Sequence, residues 1–346
     1  LNHIKKSNNM IVNRTILKAA LEIVKPALAN KEMIAQSSSF VFLDDKIITY
    51  NDEISISYPF PNLEIKGAVK AEEFYELVSK ISKEEFEIVI ENNELRITAG
   101  RIKAGLVLQK EVQLPLEELG ILEHWKTLPE QFIEGLKFVL PSCSTDMSLS
   151  ILICVHVDGS IIEATDNHRL AHFVLSEKVP GKSFLIPSSA VKELIKMNPL
   201  YITDTPGWIH FKTEENTIIS CRTFQDKFPN TSDVLHHDGV RLIFPKTLNE
   251  SLDKALVFAK KTQVMDEFVI ITIENNRIQI KSESEVGWYK EEANIKYSEK
   301  PIQFTVTPLL LKDILSKSTI CIISNSCVTF EGPNWVYVAM LRINKE

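Results

Sequence analysis

The chain has 346 residues, 44% of them hydrophobic and 25% charged, with 11 Gly and 15 Pro; at two to three times the ~100–200 residues of a typical domain, it is expected to hold more than one core. That composition excludes a globally disordered, collagen-like or linker-dominated chain, and apolar runs such as Ile151 to Val155 fall well short of the ~18–20 residues of a bilayer span. Thirty-nine Lys and Arg against 46 Asp and Glu leave a net charge of −7, which excludes a surface that coats nucleic acid or anionic lipid from every side.

The first nine residues lack an initiator Met and a signal-like apolar stretch and are set apart as an appended tag or a start at a non-ATG codon. From there a pattern repeats. Helix-like segments begin near Asn13, Lys70, Thr127, Pro187, Pro245 and Thr307, at intervals of 57, 57, 60, 58 and 62 residues, a period that points to a repeated structural unit. In the first segment Ile16, Ala20, Ile23 and Ala27 recur at helical spacing and predict the core-facing stripe. Leu248, Leu252, Ala255 and Ala259 do the same in the fifth.

Each helix is followed by β-branched runs joined at tight polar turns. Phe40–Leu43 turns at Asp44-Asp45 into Ile47–Tyr50, and Phe86–Ile90 turns at Asn92-Asn93 into Leu95–Thr98. Val155–Val157 turns at Asp158-Gly159 into Ile161-Ile162, and Phe268–Ile273 turns at Asn275-Asn276 into Ile278–Ile280. These are hairpins with two-residue turns. The prediction is an α+β protein of six units, each a helix followed by an antiparallel meander, paired into three similar domains at 10–124, 125–240 and 241–346. Such a repeat fits an open solenoid, a segment of a closed ring or a coincidence of α+β architecture. The cysteines, Cys143, Cys154, Cys221, Cys321 and Cys327, form no CxxC pair and are expected to be reduced, buried thiols of a cytoplasmic protein.

Charge is not evenly spread. Six windows over the helices (13–29, 70–83, 126–140, 187–197, 245–262 and 307–318) hold 16 Lys and Arg against 10 Asp and Glu, so they carry +6 and the remainder −13. Arg14, Lys18 and Lys25 are expected opposite the Ile16/Ile23 stripe, and Lys246, Lys254 and Lys261 opposite Leu252 and Ala255. A basic helical layer in an acidic chain fits helices that face a polyanion, with salt-sensitive contacts that carry no sequence information.

The segment Thr165-Asp-Asn-His-Arg-Leu-Ala171 resembles the TDGHRLA motif of the bacterial sliding clamp, the beta subunit of DNA polymerase III. Ser183–Leu194, Phe228-Pro-Asn and Trp335–Ile343 are similar to further segments of that family in the same order, and the resemblance runs through all three predicted domains. It implies a clamp fold assembled as a head-to-tail homodimeric ring, with helices inside and sheets outside. Such a ring encircles duplex DNA without reading its sequence and tethers the polymerase. It also implies a pocket for short peptides of the polymerase alpha subunit, the clamp loader and other clamp-binding proteins, formed here by Leu149, Thr165, His168, Arg169, Leu170, Pro229, Val234, Val338, Met340, Leu341 and Arg342. Charge and resemblance together nominate Arg14, Lys18, Lys25, Lys31, Lys192, Lys196, Lys246, Lys254, Lys261 and Lys312 for DNA.

The sequence also departs from the family. Asn167 stands where the motif has Gly, a substitution that left-handed backbone tolerates. No Pro separates Met340 from Leu341, and the chain continues through Asn344-Lys-Glu. Asp146-Met-Ser148 replaces a DNA-touching Arg-Tyr-Tyr, and Ser188 and Ser189 replace basic residues. A diverged paralogue that serves as a binding or decoy module is the alternative these departures suggest.

Enzyme patterns are fragmentary. Ser189 and Lys192 satisfy SxxK, but the SDN-like Thr165–Asn167 lies upstream rather than downstream, and Lys246-Thr-Leu fails KTG. His168 and His172 lack the carboxylate of HExxH, and His236-His237-Asp238 reads as a solvated turn. No P-loop or GxGxxG is present, and no cluster asks for a metal or cofactor. The expectation is a non-catalytic protein without membrane contact.

Overall fold

The structure, a computed structural model, describes residues 9–342. Ile343 and the Asn344-Lys-Glu extension lie outside the described residues. Mixed helix and sheet appear as expected, and each of the six units has one more strand than the sequence suggested. A short strand precedes the helix of each unit, and in three of the six it runs straight into it. The first unit is β1 (Asn9–Asn13), α1 (Arg14–Val24), β2 (Ser39–Leu43), β3 (Lys46–Tyr50) and β4 (Ile54–Pro59); the second is β5 (Gly67–Lys70), α2 (Ala71–Lys80), β6 (Glu85–Glu91), β7 (Glu94–Ala99) and β8 (Ile102–Val107). The third is β9 (Lys126–Thr127), α3 (Phe132–Val139), β10 (Cys154–Asp158), β11 (Ile161–Thr165) and β12 (Arg169–Val174). The fourth is β13 (Phe184–Pro187), α4 (Ser188–Met197), β14 (Tyr201–Thr205), β15 (Trp208–Lys212) and β16 (Ile218–Arg222). After the one-turn helix α5 (Ser232–Leu235) come β17 (Val240–Ile243), α6 (Leu248–Ala259), β18 (Val269–Glu274), β19 (Arg277–Ser284) and β20 (Gly287–Asn294). The last unit is β21 (Ile302–Val306), α7 (Pro308–Leu315), β22 (Ile320–Ile323), β23 (Cys327–Glu331) and β24 (Trp335–Met340).

The leading strands are exchanged between successive units. β1 pairs with β6 while β5 pairs with β2; β9 pairs with β14 while β13 pairs with β10; β17 pairs with β22 while β21 pairs with β18. Two of the resulting four-stranded sheets join two others through the last strands of their meanders, β4 to β16 and β12 to β24, both antiparallel. The outcome is two eight-stranded sheets, β5-β2-β3-β4-β16-β15-β14-β9 and β13-β10-β11-β12-β24-β23-β22-β17, and two four-stranded sheets, β1-β6-β7-β8 and β20-β19-β18-β21. The described chain forms two compact units: the residues up to Leu128 with Pro180–Lys182 and Ser189–Gln225, and Pro129–Val179 with Ser183–Ser188 and the residues from Asp226 onward.

Local chemistry sets the element ends. The Asn13 side chain accepts from the Ile16 amide at 3.0 Å and starts α1, and Pro308 occupies the first turn of α7. Asp44 and Asp45, and Asn275 and Asn276, take positive φ in two-residue hairpin turns. In the third unit the turn is Gly159-Ser160, with Asp158 and Ile161 closing the ladder, one residue later than predicted. The helix starts expected near Thr127 and Pro245 fall later, at Phe132 and Leu248, because Lys126–Thr127 is spent on β9 and β17 ends at Ile243. All five cysteines are buried. No helix among the described residues is long and apolar enough to cross a membrane.

The α6 stripe lies where its periodicity placed it, with Leu248, Leu252, Ala255 and Ala259 buried. In α1 the phase is different. Leu17, Ala20, Leu21 and Val24 face the core, while Ile16 is 60% exposed and Ile23 half-buried. At 100° per residue Arg14, Lys18 and Lys25 therefore flank the core on one side rather than oppose it, and Thr15, Ala19 and Glu22 point outward.

Candidate peptide site and helix-face charges

Strand alternation sorts the candidate pocket residues. In the second eight-stranded sheet, one face of β11, β12 and β24 carries Ile162, Ala171, Phe173 and Tyr337 toward the helices; Gly135 of α3 lies close against Ile162 and Phe173, and the Tyr337 hydroxyl donates to the Leu310 carbonyl of α7 at 2.8 Å. The other face carries Glu163, Thr165, Leu170, His172, Val336, Val338 and Met340. There Leu170, Val338 and Cys327 form a buried apolar cluster, and Val234 and Leu235 of α5 pack on it with Val336. Met340, at the end of β24, is 40% exposed beside them.

The structure thus brings Leu170, Val234 and Val338 into contact and sets Thr165 and Met340 on the same face. Arg169 faces the helices instead. It is 8% exposed, and its guanidinium bonds to Asp166 at 3.1 Å and to Asp313 of α7. Asp166 also accepts from the His168 and Arg169 amides, at 3.0 Å each. This closes the β11–β12 turn around Asn167, whose φ of 72° is the left-handed conformation expected of a residue in the place of Gly. His168 and Pro229 are exposed, Leu149 is half-buried and Leu341 is buried. Arg342 turns away to stack over the Phe268 ring at 3.6 Å and to donate to the Met265 carbonyl.

Sequence reasoning missed the polar row on the same sheet face. His156 of β10, Glu163 of β11 and His172 of β12 lie directly opposite one another in register. Glu163 is 6% exposed; its carboxylate accepts from His156 Nδ1 at 2.9 Å, His172 Nδ1 at 3.1 Å and Thr231 Oγ1 at 2.7 Å. Burial works to raise its pKa, but these three donors outweigh burial and hold it at about 2. Because a carboxylate only accepts, both imidazoles carry a proton on Nδ1, and His156 Nε2 lies 3.0 Å from the Ser183 hydroxyl. A turn at Asp158-Gly159 would set residue 156 opposite 161; the turn at Gly159-Ser160 sets it opposite 163.

The nominated basic residues divide into two groups. Lys18 pairs with Glu22, Lys196 with Glu193, Lys254 with Glu291 and Lys312 with Asp253. Lys25 sits over the Tyr75 ring at 4.1 Å. Arg14, Lys31, Lys192, Lys246 and Lys261 make no ion pair among the described residues, and all but the half-buried Arg14 are exposed. Lys246 and Lys261 flank α6 rather than lie within it. The second helix contributes Glu72, Glu73 and Glu76 to its own exposed face. Ser189, of the SxxK pattern, donates its hydroxyl to Glu53 at 2.7 Å.

No protein-family model and no curated protein matches the sequence. Solved structures do. The DNA polymerase III beta chain of Streptococcus pneumoniae superposes with a TM-score of 0.84 at 21% identity, covering 96% of this chain and 99% of that one. The chain has the sliding-clamp fold. The Bacillus subtilis DNA polymerase sliding clamp matches with a TM-score of 0.81 at 19% identity over 98% of this chain and 100% of its own. A Bartonella birtlesii sliding clamp bound to griselimycin matches with 0.85 at 17% identity over 96% and 99%. At such identities the likeness is one of fold, so the clamp fold is established by topology over nearly the full length while its side chains are largely this chain's own.

Proposed function

We propose that the chain is a DNA sliding clamp, a non-catalytic processivity factor whose two copies close head to tail into a ring around duplex DNA. The unequal sheets carry this reading. Four of the six meander-final strands pair with one another, and the remaining two, β8 and β20, end the two four-stranded sheets. Open edges invite strand addition, and the exposed Val107 on β8 and Trp288 on β20 mark both as unfinished. Pairing β8 of one copy with β20 of another makes every sheet eight-stranded. That contact is heterologous, and two copies can make it twice and close. The proposed partition into three domains, 10–124, 125–240 and 241–346, is supported by the exchange of leading strands between paired units.

In this reading the helices line the hole. Phosphate contacts come from Arg14, Lys18, Lys25, Lys31, Lys192, Lys196, Lys246, Lys254, Lys261 and Lys312. Because several of these already have carboxylate partners, each contact is weak and exchangeable, which suits a ring that must move along DNA. The sheet face around Leu170, Val234, Val338 and Met340 receives apolar side chains of short linear peptides from a polymerase alpha subunit, a clamp loader and other clamp-binding proteins. A ring assembled by a loader on nicked circular DNA is expected to stay bound through gel filtration and to run off once the DNA is linearised. Equal retention on circular and linear DNA would overturn the encircling model.

A further inference from the structure

We propose that Glu163, His156, His172 and Thr231 form a latch that positions α5 as a wall of the peptide pocket, so that peptide binding and docking of residues 226–235 are coupled. The inference rests on the pocket reading above and adds a regulation to it. A four-residue helix has no stability of its own, and Thr231 occupies the N-cap position of α5 without capping it, the first amide of the helix, Ser232, donating instead to Asn230 Oδ1 at 3.1 Å. The Thr231 hydroxyl is spent on Glu163 instead, at 2.7 Å.

Three residues earlier, the Phe228 ring stacks on His156 with centroids 4.8 Å apart and planes 17° from parallel. His156 in turn donates to Glu163. The hydroxyl of Thr231 and, through His156, the ring of Phe228 therefore converge on one buried carboxylate, while Val234 and Leu235 supply the segment's apolar contact with Leu170 and Val338. The segment has no strand pairing of its own between β16 and β17. Its docked position depends on these few contacts, and a peptide that touches Val234 binds the docked state alone. Linkage then requires that bound peptide hold the segment down, and that loosening the latch lower the apparent affinity by the fraction of chain left undocked.

Amide hydrogen exchange of residues 231–235 in the full-length protein tests this, with the clamp-binding peptide of a bacterial DNA polymerase III alpha subunit as probe. Thr231→Val is expected to speed exchange there about fivefold, the effect of one lost hydrogen bond, with the rest of the chain unchanged. Thr231→Ser, which keeps the hydroxyl, should restore the wild-type rate. Saturating peptide should slow exchange of the same amides in wild type and variant alike, and the variant should bind it up to about fivefold more weakly. Unchanged exchange in Thr231→Val overturns the latch. A peptide that binds wild type but leaves these amides untouched overturns the coupling. A peptide that does not bind wild type at all overturns the pocket reading and the coupling with it, while the exchange rates of the variants still decide whether the latch exists.

Discussion

Glu163 and Arg169 are buried charges six residues apart on opposite faces of one sheet, and they are satisfied in different ways. Arg169 is held by two carboxylates, Asp166 in the adjoining turn and Asp313 on α7, with Tyr337 beside it. All belong to elements fixed by the fold. Glu163 is held by two imidazoles and one hydroxyl, and the hydroxyl belongs to the segment between β16 and β17 rather than to the sheet. A guanidinium locked by two carboxylates of the fixed fold is architecture. A carboxylate whose donors can lose or regain a partner is suited to holding something that comes and goes.

The sharpest way to break that contrast is Arg169→Ala, which leaves Asp166 and Asp313 facing each other without their cation. It is expected to cost about 3–5 kcal/mol of global stability, read by urea unfolding. A loss below 1 kcal/mol would mean the network is not structural. Glu163→Gln should cost less, about 1–3 kcal/mol, and its signature is in pH. Because the folded pKa of Glu163 lies at about 2, below the ordinary 4.5, its contribution is complete above pH ~4.5 and disappears as pH falls through 2. Between pH 5 and 3 the wild-type Tm should therefore fall more steeply than that of Glu163→Gln. Parallel curves would remove Glu163 from the acid response.

The smallest effect on stability belongs to the helix faces. Lys192→Ala, Lys246→Ala and Lys261→Ala together should change stability by no more than about 0.5 kcal/mol each. They should make the slope of log affinity for duplex DNA against log salt shallower by up to about 3. The paired set, Lys18, Lys196, Lys254 and Lys312, should change it less per residue. An unchanged slope in the unpaired set would turn these side chains away from DNA.

Much of the fold was legible because its strongest signals are local. Two-residue turns such as Asp44-Asp45 and Asn275-Asn276 announce hairpins within ten residues, and six of the helices recur at near-constant spacing. The leading strands were hidden for the opposite reason. At two to five residues they read as the approach to a helix, and β1 finds its partner only at β6, where Asn9 lies opposite Val89. The α1 stripe was misphased because Ile16/Ile23 and Leu17/Leu21/Val24 both satisfy helical spacing, so periodicity alone offered two faces.

The candidate site was legible in its apolar members, Leu170, Val234 and Val338. The direction of Arg169 was not, because a motif gives residue order while strand alternation gives the face. Glu163 escaped notice because it is informative only once 156, 163 and 172 are aligned across three strands.

The exchange of leading strands has a consequence for how the molecule comes into being. When the first unit has left the ribosome, β2, β3 and β4 are present but the strand that completes their sheet, β5, has not emerged; β1 meanwhile waits for a strand about 75 residues behind it. Neither unit of a pair can finish without the other. The smallest piece of nascent chain able to complete its own strand order is the pair.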